Sequence, residues 1–211
     1  MNDPILSLIC TERGVAVEHK VYQLTLTREN LQKLWQASSK YPVLLNQEIR
    51  GDFEKFVSIF LEQDSDTVHA RGIIYVVDDF VGVFFLTNID VFNQSAEAHF
   101  TFFDGRIHGR DKLAKAMCKF AFEHFKFNRL FVAIPAYVPS HTFAFAKRVG
   151  FVTEGKFKGA AKKGDKFFDV TVLGMLSSSL SMDTQETSES EDTSQWEHKS
   201  EQSVETVEQN S

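Results

Sequence analysis

Apolar and polar residues recur along positions 14–176 with periods of about two and about 3.6 residues, which predict strands and helices respectively. Strands are predicted within 14–26, 68–90, 95–105, 129–136, 151–159 and 166–176, and the segment 68–90 holds two strands around a tight Asp78–Asp79 turn. Helices are predicted within 27–42, 51–64, 110–125 and 139–150. The order β-α-α-β-β-β-α-β-α-β-β indicates an α/β fold whose mixed sheet carries helices on both faces.

The predicted helices carry their own start and stop signals. Thr27 is a suitable N-cap for the first helix, and Pro42 ends that helix. Gly150 stands where a left-handed C-cap ends the last helix. The third helix is predicted to turn five side chains inward: Leu113, Met117, Phe120, Ala121 and Phe125.

The composition is that of a globular protein with a core rich in phenylalanine. The chain has 211 residues, of which 43% are hydrophobic and 21 are Phe. No stretch approaches the ~18–20 consecutive apolar residues of a membrane span. The segment "PILSLIC" near the start lacks the basic leader of a signal peptide. Neither Cys10 nor Cys118 belongs to a CxxC or Cys/His cluster, so we predict no metal site and expect reduced thiols in a cytoplasmic protein.

The net charge of −6 is unevenly distributed along the chain. From Met175 onward there are nine acidic residues and one Lys, whereas residues 1–174 carry 20 acidic and 22 basic residues. The segment 177–211 is rich in Ser, Glu, Gln and Thr and has too few apolar residues to offset its ordering entropy. We therefore predict a folded domain over 1–176 and a disordered acidic tail over 177–211. This tail is either a solvating segment or a docking segment for a basic partner.

Three landmarks in the body resemble the GNAT family of acyl-CoA-dependent N-acyltransferases. They are "AEAHFTFF" leading into "RIHGRD" and a helix, "RLFVAIP" followed by a helix ending in "KRVGF", and "GFVTEGKF" at the last strand pair. The resemblance covers about residues 15–175 and implies the acyl-CoA N-acyltransferase fold. The spacing "PSHTFAFAKRVGFVTEGKF…GDKFFDV" also resembles GNAT-like proteins of short-tailed bacteriophages, which would place the protein in a host cytoplasm.

The resemblance implies a coenzyme A site at the loop that opens the third helix. In the family this loop reads Gln/Arg-x-x-Gly-x-Gly/Ala, and its N–H groups with the helix N-terminus hold a pyrophosphate. Arg106 and Gly109 match this pattern, and Arg110 adds a positive charge. Asp111 departs from it, because the sixth position of the pattern is a small residue. The Asp111 carboxylate would either repel the phosphates or cap its own helix. The cofactor-binding residues predicted on this basis are Phe102, Phe103, Arg106, Ile107, His108, Gly109, Arg110 and Asp111, and the strand around Phe102 and Phe103 would offer an N–H to the acyl carbonyl.

Proton transfer requires a base near this loop. Glu97, His99, Thr101 and Phe103 share one face of their strand. Glu97 is similar in placement to the glutamate base of histone acetyltransferases in the family, and otherwise it is a solvated strand residue. His99 is a second candidate base or else a hydrogen-bonded structural residue. His141 can protonate the thiolate, bind cofactor, or lie on the surface at a helix start.

The resemblance therefore implies transfer of an acetyl or other acyl group from acetyl-CoA to an amine of a protein or small molecule. Two residues that differ from the family pattern leave an alternative open. They are Asp111 and Ala146, and Ala146 stands at the position where the family often has a tyrosine acid. In that alternative the chain is an inactive GNAT-fold protein that serves as a phage virion or assembly component or as a host-directed binder. The lysines of "KFKGAAKKGDK" indicate either a solvated hairpin or a guide for an acidic partner. The nearly neutral body disfavours nucleic-acid binding.

Overall fold

The computed structural model describes residues 3–12, 14–40, 51–64, 67–103 and 107–179. The strands formed by these residues are β1 Leu6–Glu12, β2 Val15–Gln23, β3 Leu61–Asp64, β4 Thr67–Ala70, β5 Gly72–Val77, β6 Gly82–Asp90, β7 Ser95–Phe102, β8 Arg129–Pro135, β9 Val152–Lys163 and β10 Lys166–Leu176. The helices are α1 Arg28–Ser39, α2 Phe53–Phe60, α3 Arg110–Phe125 and α4 Ser140–Val149. Eight of these strands form a sheet in the order β1-β2-β5-β6-β7-β8-β10-β9, and β3 and β4 form a separate pair.

The local start and stop signals act as predicted where the structure describes them. The Thr27 hydroxyl accepts a hydrogen bond from the Asn30 N–H at 3.2 Å and caps α1. Gly150 takes a positive φ of 118° and ends α4. Pro42, which was predicted to end α1, lies outside the described residues.

The second helix is shorter than the sequence predicts. It ends at Phe60, and Leu61–Asp64 form β3, which pairs antiparallel with Thr67–Ala70. The prediction of helix through residue 64 was wrong because this hairpin supplies backbone partners that a longer helix would otherwise provide. The Arg71 N–H donates to the Phe60 carbonyl at 2.8 Å and satisfies one of the last carbonyls of α2.

The segment around "PILSLIC" forms a strand that the sequence analysis did not predict. β1 pairs antiparallel with β2, and Cys10 lies opposite Val17. β1 is the first strand of the sheet, with Cys10 fully buried and Ile9 68% exposed. Such a half-buried edge strand is only seven residues long and carries a weak periodic signal.

Helices cover both faces of the sheet, as predicted. One face packs against α1 and α2 through a cluster that includes Leu31, Phe56, Phe60 and Val83. On the opposite face the Tyr75 ring meets Phe120 of α3 at a centroid distance of 5.6 Å. The same face receives α4, whose Phe145 contacts Phe100 and Phe102 of β7 at centroid distances of 6.1 and 6.0 Å. Much of the phenylalanine content therefore lies in two aromatic layers, one on each face of the sheet.

The body predicted over 1–176 ends with β10 at Leu176, and residues 177–179 continue as a short helical segment. The remainder of the predicted tail, 180–211, lies outside the described residues, so its disorder stays a prediction. In the described part of the chain, no helix combines the length and the hydropathy needed to cross a membrane.

Candidate active site

A cleft opens where the neighbouring parallel strands β7 and β8 diverge. The two strands pair only at Ser95–Arg129, Ala96–Leu130 and Glu97–Phe131. Beyond this point β7 stays with β6, while β8 continues along β10 as far as the Pro135–Val170 pair. The cleft has a volume of about 180 Å³ and is lined by Phe85, Ala98, His99, Phe100, Thr101, Val132, Ala133, Ile134, Thr142, Phe145, Ala146, Val149 and Phe151.

The cleft passes through the sheet rather than lying on one side of it. Neighbouring strand residues point to opposite faces. His99 and Thr101 line the cleft from the face covered by α1 and α2, and Ala98 and Phe100 line it from the face covered by α3 and α4. A ligand in this gap can therefore contact groups on both faces of the sheet.

The divergence of the strands exposes one edge of the β7 backbone to the cleft. The Phe103 N–H donates to the Val81 carbonyl at 2.8 Å, so it points toward β6. Successive N–H groups alternate in direction along a strand. The N–H groups of Phe100 and Phe102 therefore point to the edge that β8 has left. Of the two predicted carbonyl-binding positions, Phe102 has the required direction and Phe103 does not, because its N–H is already bonded to β6.

Two of the predicted catalytic residues lie together on β7. The Glu97 carboxylate is 12% exposed, and its Oε2 accepts a hydrogen bond from Asn88 Nδ2 at 2.7 Å. His99 Nε2 lies 2.8 Å from Thr87 Oγ1 and 3.7 Å from Glu97 Oε1. His99 lines the cleft, whereas Glu97 lies behind it next to the last paired residues of β7 and β8.

The surroundings of His99 favour its neutral form. Its ring stacks on Phe85 with a centroid distance of 4.3 Å and an interplanar angle of 8°. Burial lowers the pKa of His99, and the Glu97 carboxylate offsets this effect in part. A neutral imidazole at the edge of a cleft can accept a proton, and the neighbouring carboxylate stabilises the imidazolium that results.

The predicted phosphate loop ends at a helix start whose first N–H groups point outward. Gly109 is the N-cap of α3, with a φ of 65° and no capping side chain among the described residues. The first bond within the helix runs from the Leu113 N–H to the Gly109 carbonyl at 2.9 Å. The N–H groups of residues 110–112 therefore lack acceptors within the helix, and helix starts with such N–H groups are suited to binding an anion. Arg106 lies outside the described residues.

Residues of strands β1 and β2 pack against this loop. A Cβ built on Gly109 would lie 2.5 Å from Cβ and Sγ of Cys10, so only glycine fits this position. The ring of His19 is buried between two oxygens, with Nε2 3.1 Å from the His108 carbonyl and Nδ1 2.8 Å from Asp78 Oδ2. His108 thus turns its carbonyl toward the protein interior, and Ile107 is half-buried beside it.

Asp111 does not cap its own helix. It is the second residue of α3, and its carboxylate accepts hydrogen bonds from Arg148 Nε at 2.7 Å and Arg148 Nη2 at 3.4 Å. The prediction that Asp111 could cap α3 was wrong because the guanidinium of α4, 37 positions later, takes both carboxylate oxygens. The ion pair also places a positive charge directly beside the carboxylate that was expected to repel a phosphate.

A family model described as an acetyltransferase (GNAT) domain matches residues 51–172, which is more than half of the chain. The chain belongs to the GNAT acetyltransferase family. It is thus a GNAT-type N-acetyltransferase, and the mixed α/β fold above is the GNAT fold. No curated protein sequence matches the chain.

Solved GNAT structures share this fold at low sequence identity. A spermidine N-acetyltransferase from Vibrio cholerae, in complex with CoA and spermine, matches with a TM-score of 0.59 and 17% identity, covering 75% of this chain and 96% of that one. Mutant forms of the spermidine/spermine N-acetyltransferase from the same organism match with a TM-score of 0.58 and 16% identity, covering 79% of this chain and 99% of that one. At these identities the similarity establishes the fold alone.

The remaining predicted site residue, His141, lies apart from the GNAT cleft. It is exposed at the start of α4, and its neighbour Thr142 lines the cleft in its place. Tyr137 is the tyrosine nearest to His141 in the sequence. Its ring packs on Phe168 and lies beneath the Lys163 ammonium. No local sequence pattern identifies Thr87, Asn88 or Arg148, because their contacts depend on pairings across strands and helices.

Proposed function

We propose that this GNAT enzyme transfers an acetyl group from acetyl-CoA to a cationic amine. The observation that carries the proposal is the cleft between β7 and β8, with the polar group of Glu97 and His99 at β7 and α3 following β7 in the chain. Acetyl-CoA would supply an acetyl group activated as a thioester. The chain's own residues would bind the donor, orient its carbonyl and remove a proton from the acceptor.

The start of α3 would bind the phosphate groups of the donor. The N–H groups of residues 110–112, the positive end of the helix dipole and the Arg110 side chain all favour an anion. Arg106 and Gly109 match the family pattern, Ile107 and His108 lie between them, and Asp111 departs from the pattern at its sixth position. Gly109 lets the backbone come close to a ligand because it has no side chain.

The edge of β7 would orient the acetyl carbonyl. The Phe102 N–H, with the Phe100 N–H two residues before it, points toward the side of the cleft. A fixed backbone donor at the carbonyl oxygen stabilises the negative charge that develops there during acyl transfer. Because backbone N–H groups are present at every position, this role depends on the strand divergence and not on the identity of residue 102.

His99 and Glu97 would remove a proton from the acceptor amine. A lysine-like amine with a pKa near 10.4 is neutral in only about one molecule in a few thousand at neutral pH, so a base is needed. His99 would accept the proton, and Glu97 would stabilise the resulting imidazolium. The new N–C bond forms as the C–S bond breaks, and of the two protons lost by the protonated amine one goes to the thiolate and one to solvent. His141, being exposed, has no part in this proposal.

The chemical class of the acceptor amine is inferred from the negative charge of Glu97 next to His99. Glu97 is a largely buried carboxylate on the face of the sheet opposite to α3, and it favours a cationic amine over a neutral or anionic one. The spermine in the Vibrio cholerae structure supports polyamines as the first acceptors to test, with lysine peptides as the second class. A cytoplasmic location is part of the proposal and is supported by the two buried thiols, Cys10 and Cys118.

Mass spectrometry after incubation of the full chain with acetyl-CoA and each acceptor tests the proposal. We expect acetylation of a cationic amine by the unmodified chain and a kcat lower by about 100-fold or more in the His99→Gln variant, the lower end of what general-base catalysis contributes. Binding of CoA by calorimetry, measured in parallel, separates donor binding from chemistry. Failure to bind CoA would contradict the proposal and favour an inactive GNAT-fold binder instead.

A further inference from the structure

The ion pair between Asp111 and Arg148 connects the two helices that follow the diverging strands. Asp111 lies in the first turn of α3, and Arg148 lies in the last turn of α4. Arg148 presents Nε and Nη2 to the two carboxylate oxygens, which uses two of its five N–H donors. Both side chains are partly exposed, Arg148 at 55% and Asp111 at 39%, so a ligand at the start of α3 can reach them.

At the start of α3 the charges of Arg110 and Asp111 cancel, and Arg148 adds the positive charge that favours an anion there. An anion near these N–H groups meets the positive end of the helix dipole and Arg110, but it also meets the carboxylate of Asp111. A guanidinium bound to this carboxylate cancels its charge and keeps further N–H donors for a second acceptor. Arg148 therefore occupies the position from which one side chain can neutralise Asp111 and bind a phosphate oxygen.

The residues next to Arg148 on α4 make contacts that differ from those of Arg148. Val149, the next residue, lines the cleft, so the end of α4 lies beside the proposed donor site. Lys147, the residue before, directs its ammonium over the Phe143 ring at 4.9 Å from the centroid and does not share Asp111. Lys147 is exposed and equally charged, and it thus provides a matched control on the same helical turn.

We propose that Arg148 determines donor specificity by binding a phosphate group of the CoA thioester while it neutralises Asp111. This inference rests on the proposed function, since it assigns a residue to the donor subsite of that reaction. It predicts that the enzyme distinguishes phosphate-bearing donors from pantetheine thioesters through Arg148. In this role Arg148 compensates for the carboxylate that stands where the family pattern has a small residue.

Dissociation constants measured by calorimetry on the full chain test this inference. The ligands are CoA, dephospho-CoA and pantetheine, and the variants are Arg148→Gln, Arg148→Lys, Asp111→Asn, Lys147→Gln and the double variant Asp111→Asn/Arg148→Gln. We expect Arg148→Gln to weaken CoA binding about 10- to 100-fold, the range of a lost charge-assisted hydrogen bond with an uncompensated carboxylate nearby. Asp111→Asn and Lys147→Gln should retain CoA affinity, and the double variant should lie between Arg148→Gln and the unmodified chain.

The truncated ligands distinguish the two sources of phosphate. A loss seen with CoA alone assigns Arg148 to the 3′-phosphate, and a loss seen also with dephospho-CoA assigns it to the diphosphate. Pantetheine binding should be the same in every variant, and Arg148→Lys should keep part of the affinity because the charge remains without the planar fork.

Three results would overturn the inference while leaving the proposed function intact. The first is an unchanged CoA affinity in Arg148→Gln. The second is a loss of pantetheine affinity in Arg148→Gln equal to the loss of CoA affinity. The third is an equal loss of CoA affinity in Asp111→Asn, which would mean that the ion pair only stabilises the packing of the two helices. Thermal unfolding of each variant identifies that last case, because both variants would then lose stability together. Absence of CoA binding by the unmodified chain would instead overturn the proposed function, and this inference with it.

Discussion

Gly109 lies directly against Cys10, so that a Cβ on the glycine would come within 2.5 Å of both Cβ and Sγ of the cysteine. The contact joins the end of the predicted phosphate loop to the first strand of the sheet, 99 positions earlier in the chain. Gly109 also has a positive φ of 65°, which residues with a side chain rarely adopt. The start of α3 is thus fixed both by backbone conformation and by a strand that supports it from behind.

Gly109→Ala should therefore lower stability more than its backbone conformation alone explains. Gly164→Ala is the matched control, because Gly164 has a φ of 58° with no atom within 4 Å of a built Cβ. We expect the control to lose about 1 to 2 kcal/mol from the left-handed conformation and Gly109→Ala to lose about 1 to 3 kcal/mol more from overpacking. Denaturant unfolding measures both values, and equal losses would mean that β1 does not confine the loop.

Removal of the Glu97 charge should change the pH profile of the reaction. The carboxylate raises the pKa of His99 against the larger effect of burial, so Glu97→Gln should lower that pKa further. Activity that depends on neutral His99 falls as pH drops below its pKa, and the acidic limb of log kcat/KM should move to lower pH in the variant. Asn88→Ala, which removes the partner of Glu97 Oε2 and keeps the charge, should move this limb less. Superimposable profiles for the unmodified chain and Glu97→Gln would rule out coupling between the two residues.

The lowered pKa of His99 also predicts how folding stability depends on pH. A histidine whose folded pKa lies below its unfolded value of about 6.5 binds more protons when unfolded, so the free energy of unfolding is greatest above that unfolded pKa. This contribution is lost as pH falls from about 6.5 through the lower folded pKa. Denaturant unfolding between pH 5 and pH 8 should show a shallower slope for His99→Gln than for the unmodified chain. Equal slopes for the two proteins would mean that His99 does not contribute to the pH dependence of stability.

Gly174 leaves room for an ion pair across the sheet, and an alanine there should disrupt it. Arg129 of β8 and Glu154 of β9 form an ion pair that occupies the space a Gly174 side chain would need. We expect Gly174→Ala to lower stability by up to about 1 kcal/mol, because the clashing atoms are the ends of two flexible side chains whose partly exposed ion pair would be lost. Gly155→Ala, where a Cβ would meet no atom within 4 Å, should change stability by less than about 0.5 kcal/mol. Thermal and denaturant unfolding of the two variants compare these sites directly, and similar small changes in both would show that the pair tolerates displacement.

The elements that the sequence determined are those whose signals are local. The Thr27 cap, the Gly150 stop and the alternation in β7 each depend on residues within a few positions of one another, and each was predicted correctly. The placement of Glu97 and His99 on one strand face follows from the same alternation. The three landmark segments and the order of strands and helices were enough to indicate the GNAT fold from the sequence.

Tertiary structure decided the features that depend on residues distant in sequence. β1 forms because β2 pairs with it, and α2 ends early because β3 and β4 pair with each other. The directions of the Phe102 and Phe103 N–H groups are fixed by which strand lies on each side of β7. The hydrogen-bond partner of Asp111 is Arg148, which no local pattern connects to it. Side-chain type and short-range periodicity are encoded in the order of residues, whereas the partner of a charge or a backbone donor is chosen only when the elements pack together.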